Sequence, residues 1–155
     1  VGTYYGEQNW QAMRKVQYLG LITATILAIL TMILLWAFRN EIVALYTSDM
    51  IVTQIAVYLI LFAIAYQLMD GWQISAAGCL RGMQDTKGPM WITMLAYWVI
   101  AFPVGVYLSR FTDMGAAGVW VGLIVGLSVA CVLLLARLYG NNKRLSLDHP
   151  MRSAD

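Results

Sequence analysis

Four long apolar stretches, separated by short polar ones, set the organisation of this 155-residue chain. The first, residues 19–38, runs for 20 positions without a charge, the length a helix needs to cross a hydrocarbon core of about 30 Å. Arg39, Asn40 and Glu41 close it, and residues 40–46 read as a short interfacial turn. Thr47, Ser48 and Asp49 then offer capping oxygens to a second helix over residues 50–80. At 1.5 Å per residue that helix is about 46 Å long, more than a bilayer core requires, so it must tilt, project, or bend near Gly71 or Gly78. The loop from Arg81 to Gly88 is the most polar internal segment, and Pro89 falls where a first helical turn tolerates proline. A third span, residues 90–109, carries Pro103 well inside it, where the missing N–H and the ring predict a kink. The fourth, residues 117–138, sets Gly118, Gly122, Gly126 and Ala130 at intervals of four, a row that lets another helix approach closely. Residues 1–18 read as a polar connection that becomes the amphipathic start of a helix, and residues 139–155 as a polar tail. The pattern predicts an all-α integral membrane protein with four transmembrane helices.

Composition agrees. Apolar residues make up 61% of the chain and charged ones 12%, and the mean hydropathy is +0.68, well outside the range of ordinary soluble domains. A net charge of +2 is too small to argue for a nucleic-acid partner, but its placement is informative. With four spans, one side receives Arg14, Lys15, Arg81, Lys87, Arg137, Lys143, Arg144 and Arg152, and the other only Arg39 and Arg110. Three or five spans would scramble that split. Under the positive-inside rule both ends of the chain are expected to be cytoplasmic. Cys79 and Cys131 lack metal-ligand spacing and read as small buried hydrophobes, and His149 as a solvated tail residue. The chain begins at Val1 without the charged, apolar and small-residue order of a signal peptide, and reads as a piece of a longer protein. Gly78-Cys79-Leu80-Arg81-Gly82 lacks the Gly-Lys-Ser/Thr ending of a phosphate-binding loop, and no nucleophile–base pair or metal cluster stands out, so no enzyme is expected.

Asp70 is the one acidic residue inside a membrane-length apolar run. Arg81 is the next basic residue, so Asp70 lies about 16 Å from that end of the helix, near the middle of the core. On a helical wheel Tyr66, Gln67, Gln73, Ala56, Ala63 and Ala77 fall within about 60° of it, while Leu61, Leu68 and Trp72 lie opposite. This polar, small-residue stripe must face other helices or a water-filled cavity, because lipid cannot solvate it. A charged Asp at mid-membrane costs about 2.5–3.5 kcal/mol, so the carboxyl is expected to be protonated or holding a cation, the mark of an ion or substrate path. The alternative is a structural carboxylate bonded to a neighbouring helix. Tyr66, one turn back, can donate its hydroxyl to Asp70 or offer an oxygen to an ion. Tyr97 and Trp98 sit mid-span, where they could line a cavity for a flat organic cation or simply pack. Gln67 and Gln73 need polar partners in lipid, from a substrate or another helix.

The run Ala77-Gly78-Cys79-Leu80-Arg81-Gly82-Met83-Gln84-Asp85-Thr86-Lys87-Gly88-Pro89 resembles a signature of the multidrug and toxic compound extrusion (MATE) transporters. Gly115-Ala116-Ala117-Gly118-Val119-Trp120-Val121-Gly122-Leu123 is similar to a later segment of the same family, and Tyr97-Trp98 followed by Pro103, and the opening Val1-Gly2 to Gly6, also fit. The resemblance covers essentially the whole chain. It implies twelve helices in two six-helix lobes around a central cavity, with this chain as the last four helices, in the bacterial inner membrane. In the NorM-like branch it further implies that Asp70 binds the coupling cation, Na+ or H+, with Tyr66 as a further ligand, and that an acidic partner from the seventh helix completes the site. The expected function is efflux of organic cations by antiport, with no cofactor besides the coupling ion, and with the bilayer, the N-terminal lobe and preceding helices, and the substrate as partners. Gly71 and Pro103 are candidate hinges. Two other readings stay open: a four-helix exporter that dimerises, and a non-transporting membrane subunit in which Asp70 joins helices.

Overall fold

A computed structural model of the chain describes residues 1–148, and those residues form helices and short turns, with no strand among them. A short α1 (Gly2–Gly6) leads into α2 (Trp10–Ala37); α3 (Arg39–Ala44) lies between α2 and α4 (Met50–Gly82). The third span is composite: α5 (Lys87–Leu95), a π-helical segment (Ala96–Ala101) and α6 (Phe102–Phe111). The fourth is α7 (Ala116–Asp148). Among the described residues four helices are long and apolar enough to cross a membrane: Trp10–Ala37, Met50–Gly82, Lys87–Phe111 and Ala116–Leu147. His149 and Arg152 lie outside the described residues.

The helix ends follow local chemistry. Asn9 Oδ1 accepts from Ala12 N–H at 3.1 Å and starts α2 nine residues before the apolar run, so the amphipathic start is part of the spanning helix itself. Asp49 Oδ1 accepts from Ile51 N–H at 2.8 Å and Val52 N–H at 3.2 Å, the expected cap of α4. At its other end Gln84 takes a left-handed φ of 62°, and Asp85 N–H reaches back to Leu80 C=O at 2.9 Å, a Schellman-type stop. Similarly α7 continues past Leu138 to Asp148.

Long α4 runs as one α-helix through Gly71 and Gly78. Its irregular neighbour is the third span, where six residues just before Pro103 adopt π-helical geometry. The physical reason is proline's missing N–H, which leaves an upstream carbonyl without its usual partner and lets the ladder absorb an extra residue. The glycine row of α7 lies against this span. A Cβ at Gly118 would come within 2.6 Å of Ser109 N, one at Gly126 within 2.9 Å of Ala96 C=O, and one at Gly122 would collide with the backbone of Gly105. Small residues therefore set the spacing of the third span and α7.

Packing is densest where the start of α2, the end of α4 and the second half of α7 meet. Met13, Ala76, Leu80 and Leu134 are wholly buried there, with Met83 and Leu138 close behind. Cys79 and Cys131 are buried and free, as expected of small hydrophobes. Gln17 Nε2 donates to Met83 Sδ at 3.4 Å, and Asn142 Nδ2 donates to Gln17 Oε1 at 2.7 Å. The α4–α5 loop is fastened to α7 at this same end. Arg137 Nε donates to Asp85 Oδ2 at 2.5 Å and Arg137 Nη2 to Asp85 Oδ1 at 3.1 Å. Asp85 also accepts from Gly88 N–H at 3.2 Å and Asn141 Nδ2 at 3.4 Å. The guanidinium beside it holds the Asp85 carboxyl below the ordinary carboxylate range. The alternating helix directions bring Arg14, Lys15, Arg81, Lys87, Arg137, Lys143 and Arg144 toward one end, and Arg39 and Arg110 toward the other.

Candidate cation and substrate site

Helix α4 is packed on two sides, by α2 and by α7, and this decides where its stripe points. Gly71 rests on Ala24 and Ala28 of α2, and Trp72 Nε1 donates to Thr25 Oγ1 at 2.8 Å. Trp72, which the wheel places on an apolar back, thus faces α2 through a hydrogen bond rather than lipid. Across the helix, the polar stripe turns toward the third span and α7.

There the site assembles. Gln73 is buried, and its Oε1 accepts from the Tyr97 hydroxyl at 3.3 Å. The Tyr66 ring meets Trp120 of α7 edge to face, with centroids 6.5 Å apart. Asp70 lies one turn beyond Tyr66, half-buried, and among the described residues no basic group pairs with it. Gln67 stands beside it, also half-buried. Four of the residues singled out in the sequence, Tyr66, Asp70, Gln73 and Tyr97, are thereby gathered on one face.

Trp98 is not among them. Its ring is 71% exposed and tilts against Phe102, at the border of an apolar groove of about 300 Å³ between the third span and α7. Pro103 follows the π segment that carries Tyr97, and Gly71 sits in regular helix against α2. Trp120, not singled out from the sequence as a site residue, reaches Tyr66 because α7 packs directly on α4.

Chemically, this chain offers an oxygen-rich donor set: a carboxylate, two phenol hydroxyls and amide oxygens. No group of three or more His, Cys, Asp and Glu suited to a metal occurs among the described residues. The set therefore suits a proton or a hard, singly charged cation better than a transition metal.

The MatE family model matches residues 1–107. A curated relative from Acinetobacter baylyi, "Probable multidrug resistance protein NorM", is 68% identical over 146 residues, covering 94% of this chain and 32% of the relative. The "Multidrug resistance protein NorM" of Vibrio vulnificus is 36% identical over 160 residues, covering 98% of this chain and 35% of its own length. The crystal structure of the eukaryotic MATE transporter AtDTX14 superposes with a TM-score of 0.82 at 21% identity, over 94% of this chain and 33% of that one. The chain spans about a third of the length of the relatives it matches. With its four apolar helices and this match over most of its length, it is a multi-pass membrane protein and belongs to the MatE family.

Proposed function

We propose that this chain supplies the last four helices of a secondary multidrug exporter of the bacterial inner membrane, with both of its ends cytoplasmic, and that Asp70 and Tyr66 hold the coupling cation. The single observation that carries the assignment is that Asp70 and Tyr66 share one face of α4 with Gln73, which holds the Tyr97 hydroxyl, while among the described residues no basic group pairs with the carboxylate. The relatives' names and the charge split support it. The whole protein is a transporter and not an enzyme.

On this reading Na+ or H+ enters down its gradient and an organic cation leaves. The mechanism follows from electrostatics. Two positive charges about 4 Å apart repel by about 4 kcal/mol at an effective dielectric of 20, so one carboxylate does not hold both comfortably. Coupling-ion binding at Asp70 then disfavours the substrate and promotes its release outward. One charge moving inward across 100 mV supplies about 2.3 kcal/mol toward that step. Tyr97 and Gln73 form the wall beside the ion, with Gln67 a further substrate-facing position, while Trp98 stands apart at the groove between the third span and α7. Pro103 and its π segment are the hinge through which the third span changes the shape of that wall, with Gly71 the corresponding position on α4.

The test is efflux of a fluorescent organic cation from vesicles carrying the intact protein, with Asp70 or Asp70→Asn at matched abundance and with Na+ and pH gradients imposed separately. Asn is expected to leave insertion intact and abolish gradient-driven efflux, and the gradient that drives the unchanged protein names the ion. Undiminished efflux would make Asp70 a structural carboxylate.

A further inference from the structure

Far from the Asp70 cluster, at the basic end of the bundle, α2 and α7 diverge and leave a cavity of about 410 Å³. One face of each helix lines it. From α2 come Arg14, Gln17, Tyr18 and Leu21, and from α7 Tyr139, Asn142 and Lys143. The charged residues of this lining, Arg14 and Lys143, are both cations. Tyr18 and Tyr139 are largely exposed at its rim, as tyrosines at a membrane–water boundary are. Its floor is polar and aligned. Gln17 is 3% exposed, and its Oε1 accepts from Asn142 Nδ2, which leaves Asn142 Oδ1 buried without a hydrogen-bond partner.

A second groove of about 330 Å³ continues this cavity toward the middle of the membrane. The two share Tyr18, Leu21 and Leu135, and the second adds Ile22, Ile26 and Trp72. From Arg14 to Ile26 along α2 is about 18 Å, slightly more than one leaflet of a 30 Å core. A cationic, hydrogen-bonding head thus opens into an apolar channel of one leaflet's depth.

We propose that this combined groove binds one anionic phospholipid, with its phosphate between Arg14 and Lys143 and an acyl chain along Leu21, Ile22 and Ile26. Phosphatidylglycerol meets both requirements, having acyl chains and a net negative charge. Phosphatidylcholine meets only the apolar one, because its headgroup brings a cation toward two others. A basic pocket between membrane helices is the setting in which anionic headgroups bind. The apolar channel is what distinguishes a lipid from a soluble anion.

The experiment is native mass spectrometry of the intact protein in detergent, titrated with phosphatidylglycerol or phosphatidylcholine. A basic residue near the membrane surface is worth roughly a fivefold change in affinity, so two of them predict a preference of about 30-fold for the anionic lipid. The double variant Arg14→Gln/Lys143→Gln should erase that preference, while Arg39→Gln/Arg110→Gln at the opposite end should keep it. Leu21→Trp should fill the channel and weaken phosphatidylglycerol with both cations still in place. Equal affinity for the two lipids, equal losses in both charge pairs, or no lipid retained by the intact protein would overturn the proposal. Competition by sn-glycerol 1-phosphate at lipid-like concentrations would also overturn it, since the site would then be one for soluble anions. The thermal midpoint of each lipid-free variant confirms that lost binding is not lost folding.

Discussion

The Asp85–Arg137 pair fastens the α4–α5 loop to α7, and its removal can be worked through quantitatively. Asp85 is 16% exposed and accepts two hydrogen bonds from the guanidinium, a geometry stronger than a simple ion pair. Arg137 is 45% exposed, so water screens much of the Coulomb attraction. A coupling of about 1 kcal/mol is what remains between an exposed pair and a charge-assisted hydrogen bond. Asp85→Asn and Arg137→Gln should each cost about that much, and the double variant little more than either alone. Gly88 gives an independent handle, since a Cβ there would collide with the Arg137 guanidinium. Gly88→Ala should therefore cost about as much as Arg137→Gln in the native background, and nothing further once Arg137 is Gln. Thermal midpoints of the purified intact protein, followed by a thiol-reactive dye, would report this because Cys79 and Cys131 are buried until the bundle opens. The sign of the pH dependence also follows. The folded Asp85 carboxyl titrates below its unfolded value of about 3.9, so its contribution is present above that pH and is lost as pH falls through the folded pKa. The midpoint gap between native and Asp85→Asn protein should hold from neutral pH to about pH 4 and close below it. Strict additivity of the two variants, or a Gly88→Ala cost that persists without Arg137, would refute the clasp.

Other consequences of the packing are as direct. Gly122→Ala drives a methyl into the backbone of Gly105, which cannot move aside, and should cost about 3 kcal/mol or block insertion. Gly140→Ala, in the same helix with open space around it, should stabilise by up to about 1 kcal/mol, and the two thermal midpoints decide between them. Trp72→Phe should lose about 0.6–1.7 kcal/mol with its bond to Thr25, and Thr25→Val should add nothing to it in a double-mutant cycle. Gln84→Gly, at a left-handed position, should raise the midpoint by the equivalent of about 1 kcal/mol, and a drop would show that the Gln side chain matters there.

The parts of this fold that could be read in the sequence are those in which one residue's surroundings follow from its neighbours in the chain. Twenty uncharged positions make a span, Asp49 caps the helix that begins beside it, and a carboxylate in an apolar run stands out alone. The glycine row of α7 is of the same kind, because a stripe of missing side chains has little use except close approach. What the sequence hid was which faces meet. The wheel sets Trp72 opposite Asp70 correctly, but it does not show that α2 covers that side and supplies Thr25 as a partner. Asp85 and Arg137 lie 52 positions apart, and nothing in either segment names the other. Trp98 follows Tyr97 directly, but successive residues of a helix point roughly 100° apart, so Tyr97 reaches Gln73 while Trp98 stays in the open.

That last separation ties the candidate site to the π-helical stretch of the third span. Tyr97 stands inside the π segment, and its hydroxyl donates to Oε1 of Gln73, three residues beyond Asp70 on α4. A π segment that relaxes to α geometry turns every residue beyond it by roughly 100° and pushes the chain beyond it outward by about 1.5 Å. Residues before it, including the loop held by Asp85 and Arg137, need not move. The clasp fixes the basic end of the third span, the glycine row fixes its distance from α7, and the remaining freedom lies where Tyr97 meets the α4 stripe. On the proposed reading of Asp70 and Pro103, ion binding and the shape of the aromatic wall are coupled through the hydrogen bond from Tyr97 to Gln73. Tyr97→Phe would then uncouple efflux from the ion gradient while leaving the thermal midpoint within about 1 kcal/mol of the native protein, the cost of one hydrogen bond.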